Sequence, residues 1–543
     1  MFELNQSGRV SEMSRRNFVR MAAATVAMAG SGISFGPAQA QQAPAEPSAL
    51  PGSPHKLGGH KHLFIDDWLT AERHNVVLTV NPPERKGLAL IADQAWERGG
   101  LTSYANVLWD HLAKEYRMYY VPIVVQGGQR WCLALATSRD GIHWEKPDLG
   151  VIERDGSKKN NIVIEMQREG TVIIDPNAPR ERQYAFLSSD RDGMVLFTSP
   201  DGIRFTQHPQ RLSPHHSDSQ LSTFWDDQRR KYVHYFKVSH GGGEDWYKSP
   251  QIRINPNIPF PQSEPLGRSV ARFETSSMDE PWQGPFTVVM ARDNDDPPGT
   301  DLYTNSCVKY APTPDVYVGF PTPYYHYNHP NRKYLNEPAL KLGGKTNDGS
   351  LDTQLAVSRD GILWTRYRTP YVPVHHEEGL CFWVNMIFPG LLYHKDRIDQ
   401  FYAGYTFTHG DTGARTRLQG RELGGYLRVS QRIDGFVSAD FAYTGGRLVT
   451  RPFIFDGSRL FLNVNTSASG EGRVAILDES GQAIPGFTID DCQFINGDYM
   501  ARMVTWKDGA ADTSALAGRP VRLAFEMRGT KLYSFWFGSA EQA

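Results

Sequence analysis

Five stretches of this sequence set carboxylates among hydrogen-bonding or aromatic neighbours. Glu97 follows Trp96, and Glu169 ends the polar run Gln167-Arg168-Glu169. Asp218 lies within His215-His216-Ser217-Asp218-Ser219-Gln220, and Asp301 stands close to Tyr303 and Asn305. Glu377-Glu378 separates His375-His376 from the aromatics Phe382 and Trp383. Two carboxylates in one pocket can divide acid and base work, one kept protonated by its surroundings and the other kept ionised. Asp218 and Asp301 rank first because polar hydrogen-bonders surround them. The apolar and aromatic neighbours of Glu378 are expected to raise its pKa towards that of a general acid. Glu97 is the expected fourth catalytic carboxylate. Trp96, Tyr303, Tyr325 and Trp383 are placed to stack on a ligand, although core packing would suit each as well. Gln220, Asn305 and His376 complete the expected ligand contacts.

Those positions can meet only if the fold gathers them, and a repeat shows how. Ser358-Arg359-Asp360-Gly361-Ile362-Leu363-Trp364 occurs nearly verbatim as Ser138-Arg139-Asp140-Gly141-Ile142-His143-Trp144, and again as Ser199-Pro200-Asp201-Gly202-Ile203-Arg204-Phe205. Each copy follows an apolar run and carries an Asp-Gly turn, where glycine supplies the positive φ. With the apolar runs between them, the copies divide the chain into five units of about four strands each, the cadence of a five-bladed β-propeller. From about Gly445 the strands tend to alternate at period two, as in a separate β-sandwich. The expected fold is therefore all-β, with a propeller over residues 61–444 and a sandwich over 445–543. In a propeller the first strands of the units converge on the axis. The five carboxylate stretches all lie just before such strands, whereas Asp140, Asp201 and Asp360 fall at turns and read as turn formers. Asp110, Asp175 and Asp226 end first strands and read as Asx-turn residues.

The front of the chain is an address. Ser14-Arg15-Arg16-Asn17-Phe18-Val19 has the twin-arginine pattern, an apolar run follows, and Ala38-Gln39-Ala40 is a small-x-small cleavage site. Residues 1–40 are thus expected to be a signal peptide and 41–60 a disordered lead-in rich in Pro and Ala. Export by that route places the mature protein in the periplasm or outside the cell, with no membrane association once the signal is removed. The chain has 543 residues and a net charge of −2. Removing the segment, with its four arginines against two glutamates, leaves about −4. No basic footprint for nucleic acid is present, and a neutral or lightly charged ligand fits better. The four cysteines stand singly in apolar runs and read as small buried hydrophobes. Adjacent histidines on a strand point to opposite faces, so neither His pair chelates as a unit. No cofactor is expected, although one imidazole from each pair meeting at the axis would hold a structural divalent cation. The oligomeric state is not written in the sequence.

Phe64-Ile65-Asp66-Asp67, the Ser-Arg-Asp-Gly-Ile-x-Trp turns, Asp218-Ser219-Gln220, Pro298-Gly299-Thr300-Asp301-Leu302-Tyr303-Thr304-Asn305 and Gly486-Phe487-Thr488 carry a resemblance. The chain resembles bacterial secreted five-bladed β-propeller glycoside hydrolase-like proteins, similar to the N-terminal domain of glycoside hydrolase family 32 and related to family 43. The resemblance implies an enzyme that cleaves furanosides or pyranosides of an oligo- or polysaccharide, such as arabinan or fructan, through paired carboxylates at the propeller centre. The family 32 nucleophile box Asn-Asp-Pro-Asn-Gly and its Glu-Cys are absent from the chain. Asp175-Pro176 matches its Arg-Asp-Pro only superficially. A non-catalytic carbohydrate-binding propeller and a polysaccharide lyase are the alternatives that these departures leave open.

Overall fold

In the computed structural model, residues 53–97, 100–126, 129–165, 169–238, 250–258, 267–327, 348–411 and 413–539 are described. The expected signal peptide and most of the expected lead-in lie outside them. The described chain is all-β; the α-helical turn Ala414–Arg417 is four residues long.

Five four-stranded antiparallel units follow one another. The first consists of Leu101–Asp110, Glu115–Gln126, Gln129–Ser138 and Ile162–Glu165, and the second of Gly170–Ile174, Tyr184–Asp190, Gly193–Ser199 and Thr206–Gln207. The third is built from Ser222–Asp226, Lys231–Val238, Ser269–Thr275 and Phe286–Met290, with Ile252–Ile254 parallel to the last. Thr300–Lys309, Tyr317–His326, Thr353–Ser358 and Thr365–Val372 make the fourth. The fifth takes Val384–Ile387, Arg397–Tyr405 and Gly424–Arg432 from its own sequence and its outer strand, Glu84–Leu90, from the front of the chain. This pairing ties the front of the chain into the last unit.

Hydrogen bonds run around the first strands in a closed circuit. Asn106 exchanges two bonds of 3.0 Å with Val172, and the Thr171 hydroxyl donates to the Leu221 carbonyl. Cys307 N donates to Ser222 Oγ (3.0 Å) and Ser306 Oγ to the Ile387 carbonyl (2.6 Å), while Val107 N returns to the Pro389 carbonyl (3.1 Å). Apolar clusters fill the spaces between units, for example Tyr119, Leu133, Val172 and Phe186 between the first and second. Dispersion and the removal of apolar surface from water hold the units face to face, and the polar circuit fixes their order.

The heptapeptide copies are docking turns. In each, the Asp Oδ1 accepts the two following backbone N–H groups at 2.8–2.9 Å, and the Ser hydroxyl oxygen accepts the Gly N–H. Two copies lock onto the preceding unit. Arg117 and the Tyr119 hydroxyl donate to the carbonyls of Asp201 and Gly202, and Arg229 and Tyr235 donate to those of Asp360 and Gly361. Gly202 and Gly361 have φ of 71° and 72°, and any Cβ there would strike those tyrosine hydroxyls.

Two six-stranded sheets form a second body around one apolar cluster that includes Phe64, Phe453, Leu462, Ile476, Phe525 and Phe535. Its membership corrects the expected boundaries. His55–Gly58 is a strand parallel to Phe453–Phe455, not part of a lead-in. His62–Leu63, Thr70–His74 and Val76–Val80 pair with Thr530–Gly538, Gly446–Thr450 and Val437–Phe441. Residues 55–80 and 437–444 therefore belong to this body. Such pairings join strands hundreds of residues apart, and local periodicity carries no trace of the partner. Asp434, fully buried, ties the two bodies by accepting from Lys61 (2.9 Å), the Tyr310 hydroxyl (2.7 Å) and the Ser534 hydroxyl (2.8 Å).

Candidate active site

In the third and fourth units, Asp218 and Asp301 each pair with a cation that lies over one aromatic ring, Tyr303. Asp218 lies four residues before the strand Ser222–Asp226, and the Tyr104 hydroxyl of the first unit donates to its carbonyl (3.1 Å). Its carboxylate is paired with Lys237, the penultimate residue of the neighbouring strand. The Lys237 side chain is only 4 % exposed, against 48 % for Asp218, so the lysine is the wall and the carboxylate the open face. Ser219 Oγ donates to the Tyr303 carbonyl (3.0 Å), tying this segment to the next unit.

Asp301 is the second residue of the first strand of the fourth unit and is buried. It accepts the Arg268 backbone N–H (2.8 Å), the Arg268 guanidinium and His326 Nε2 (2.9 Å). Gly267, at φ +60°, makes that approach possible, since a Cβ would collide with Asp301 Oδ1. Burial alone would raise the pKa of Asp301; the His326 hydrogen bond and the Arg268 charge outweigh it and hold the carboxyl down at about 2. It is therefore an ionised, acceptor-only group at neutral pH.

The Tyr303 ring joins the two ion pairs. Lys237 Nζ lies 5.5 Å and the Arg268 guanidinium 5.2 Å from its centroid. Around it stand His409 (4.7 Å) and Tyr324 (5.7 Å), and Tyr324 in turn packs on His326 (3.9 Å). Asp218, Asp301 and Tyr303 are residues that the sequence singles out. Lys237, Arg268, His326, His409 and Tyr104 were not, although a lysine ending the apolar strand from Tyr232 and a Gly-Arg pair ahead of Ser269 are the signals that could have pointed to two of them.

The remaining expected residues lie apart from this ring. Glu97 is sealed in by Asp93 N and Gln94 N (3.0 Å each), Lys146 Nζ and the Tyr120 hydroxyl (2.7 Å each), so it anchors a loop and offers no open oxygen. Trp96 is 8 % exposed and packs in an apolar cluster with Leu90 and Leu101, which corrects its expected stacking role. Glu378 is corrected as well. It occupies the tip of the hairpin His375–Glu377/Leu380–Phe382 at φ +50°, its side chain is 57 % exposed, and it pairs with Arg421. No apolar enclosure acts on it. His376 is exposed on the same hairpin. Trp383 packs against a core cluster and bonds through its backbone to Tyr405 and Leu351. Gln220 and Asn305 are buried: the Gln220 amide donates to the carbonyls of Gly170 (2.6 Å) and Leu221 (2.9 Å), and Asn305 Nδ2 to Cys307 Sγ (2.6 Å). Tyr325 accepts from Gln354 (3.3 Å), next in line to Tyr324 and so on the opposite face of its strand. Glu169 is buried at the start of the second unit. Asp175 makes an Asx turn to Asn177 N (2.9 Å), as the cadence indicated. Among the described residues, no group of three or more His, Cys, Asp or Glu is disposed to hold a metal, and no helix is long and apolar enough to cross a membrane. Cys132, Cys307 and Cys492 are buried and Cys381 half-buried, all as free thiols.

No family model matches the sequence, and no curated protein does. Solved structures similar to this chain include glycoside hydrolases and an N-acetylgalactosamine deacetylase from F. plautii. One titled simply "Glycoside hydrolase" is 14 % identical over 65 % of this chain and 92 % of its own, with a TM-score of 0.41. The GH43_1 enzyme from Xanthomonas citri is 13 % identical over 64 % of this chain and 93 % of its own (TM-score 0.37). The exo-beta-1,3-galactanase from Phanerochaete chrysosporium is 8 % identical over 84 % and 99 % (TM-score 0.31). Residue roles in this chain rest on its own geometry.

Proposed function

We propose that the protein is an exported glycoside hydrolase. In this reading the five units are the blades of a β-propeller and the second body is an accessory β-sandwich. The substrate is an oligo- or polysaccharide, furanosides included, and Asp218 and Asp301 are its catalytic carboxylates. One observation carries the reading: two carboxylates from neighbouring units each pair with a largely buried cation, and both cations lie over the same tyrosine ring. Asp301, ionised and enclosed, suits stabilisation of a cationic sugar transition state, and the more open Asp218 suits activation of water or attack at the anomeric carbon. The Tyr303 ring offers a face on which a sugar can rest.

The test is a screen of aryl glycosides and plant or microbial polysaccharides, furanosides included, with wild-type protein, Asp218→Ala and Asp301→Asn. Sugar release by the wild type, lost in both variants while the circular dichroism spectrum is kept, supports the reading. Full activity in both variants would move the site elsewhere. One feature favours a binding-only role, since each carboxylate is already neutralised by its own cation. Retention on a polysaccharide gel with no turnover of any glycoside would establish that role instead.

A further inference from the structure

The heptapeptide copy at Ser358 differs from the other two at one position, and it lines a cavity. In the other copies the residue three places after the aspartate closes the carboxylate. His143 Nδ1 lies 2.7 Å from Asp140 Oδ2, and Arg204 donates to Asp201 Oδ2 (2.8 Å). In this copy that residue is Leu363, whose side chain has no polar atom. Asp360 Oδ1 accepts the two turn N–H groups (2.8 Å each), and Oδ2 has no partner among the described residues. The cavity measures about 440 Å³ and lies between this turn, the turn at Gln228 and the segment from His55 to Lys61 of the second body. Sites for small molecules occupy about 300–1,000 Å³.

Part of the wall is already spent. Arg359 donates to both oxygens of Asp66 (3.1 Å each), to Asp315 (2.8 Å) and to the Leu63 carbonyl (2.7 Å), with its guanidinium 5.2 Å from the Trp68 ring. Lys61 is held by Asp434 (2.9 Å). Lys56, His60 and Gln228 also line the cavity. They are exposed, and among the described residues their side chains make no hydrogen bond or ion pair. We propose that this cavity binds a small neutral saccharide. It shares no residue with the ion pairs around Tyr303. Lys56 only donates, Asp360 Oδ2 accepts, and the Gln228 amide does both. A sugar hydroxyl donates and accepts, so neighbouring hydroxyls are matched by that mixture. An anion would be matched by donors alone. Here the open carboxylate oxygen opposes it, and Arg359 and Lys61 are neutralised by Asp66, Asp315 and Asp434. Leu57, Pro314 and Trp68 supply apolar surface for the C–H face of a sugar ring.

The test is a titration of the full chain, followed by ligand-observed NMR, with the methyl glycosides of glucose, galactose, xylose, arabinose and fructose, and separately with inorganic phosphate. At least one glycoside should bind the wild type. Lys56→Ala/Gln228→Ala, which changes two exposed side chains, should weaken that binding by about tenfold or more. Asp360→Asn, which keeps an oxygen for the turn and puts a donor in place of the open acceptor, should weaken it as well. Asp301→Asn, in the other site, should leave it within about twofold of wild type. No glycoside bound by the wild type, binding that the double variant keeps in full, or binding of phosphate alone would overturn the proposal, the last in favour of an anion site. The outcome is independent of the hydrolase reading: a protein that cleaves no glycoside yet binds one through Lys56 and Gln228 supports the cavity while overturning the enzyme.

Discussion

The two ends of the first strands use the same residue type for opposite purposes. At their far ends, Asp110 and Asp226 are fully buried and every bond they make is internal. Asp110 accepts two turn N–H groups (2.9 Å) and the Tyr184 hydroxyl of the next unit (2.7 Å), and forms an ion pair with Arg117 (3.1 Å). Asp226 repeats the pattern with Gln228 N, Arg229 N, the Tyr317 hydroxyl and Lys309. Each is a rivet between neighbouring units. At or just before the starting ends, Asp218 pairs with Lys237 and stays half exposed, while the buried Asp301 pairs with Arg268 and His326; Lys237 and Arg268 both lie over the Tyr303 ring. A carboxylate whose acceptor sites are all taken by the fold can only stabilise; one with sites left over can act on something else.

The largest expected effect breaks the open end. Asp301→Asn keeps the shape but removes the charge, and sugar release should fall by about 10³-fold or more, equivalent to ~4 kcal/mol of transition-state stabilisation. Steady-state kinetics on the best substrate from the screen would measure it, and a loss under about tenfold would remove Asp301 from the chemistry. The matched change at the closed end should do the reverse. Asp226→Asn leaves the Lys309 charge without its counter-ion in the unit interface, a loss of about 3–5 kcal/mol in stability for a broken buried pair. Denaturant melts should show it, whereas kcat per folded molecule at moderate temperature should stay within about twofold of wild type.

Asp352 sharpens the contrast because it belongs to neither class. It sits between the strands Gly349–Leu351 and Thr353–Ser358, its Oδ1 is buried with no hydrogen-bond partner, and burial pushes its pKa up to about 7. The folded state therefore keeps a proton on Asp352 at pH values where the unfolded chain has lost it. Its contribution to stability is intact below the ordinary carboxylate range and falls away as pH rises towards 7. Asp352→Asn cannot ionise, so it should match wild type near pH 4 and exceed it near pH 8, by at most about 4 kcal/mol at 1.36 kcal/mol per pKa unit. Thermal melts at the two pH values decide this, and an identical shift at both would show that Asp352 is ionised and compensated.

What the sequence revealed and what it hid divide along physical lines. The strand-and-turn cadence is local, so the heptapeptide turns and the Asx residues Asp110, Asp175 and Asp226 were readable from their own neighbours. Asp218 and Asp301 were readable because their loops are polar at positions that precede first strands. Lys237 reaches Tyr303 and Arg268 reaches Asp301 only through contacts made across units, and a lone cation at a strand end reads as surface. The same holds for Glu84–Leu90 and for the strands between His55 and Val80, whose partners lie hundreds of residues away.

Glu378 shows how a neighbourhood in sequence misleads. Its apolar neighbours Leu380 and Phe382 belong to the returning strand of a two-stranded hairpin, and side chains on a strand alternate between faces, so nearness in sequence does not make an enclosure. At φ +50° on the tip, the carboxylate reaches out to Arg421, and both side chains are more than half exposed. An exposed pair contributes little, because water screens it and two long side chains must be ordered to make it. Glu378→Gln should therefore change stability by less than about 0.5 kcal/mol and leave sugar release within about twofold of wild type. The measurement is worth making beside Asp301→Asn because it is the control for the whole contrast between open and spent carboxylates. Should Glu378→Gln abolish activity in a folded protein, the chemistry would lie on the fifth unit, and the ion pairs around Tyr303 would be rivets like those at the other end.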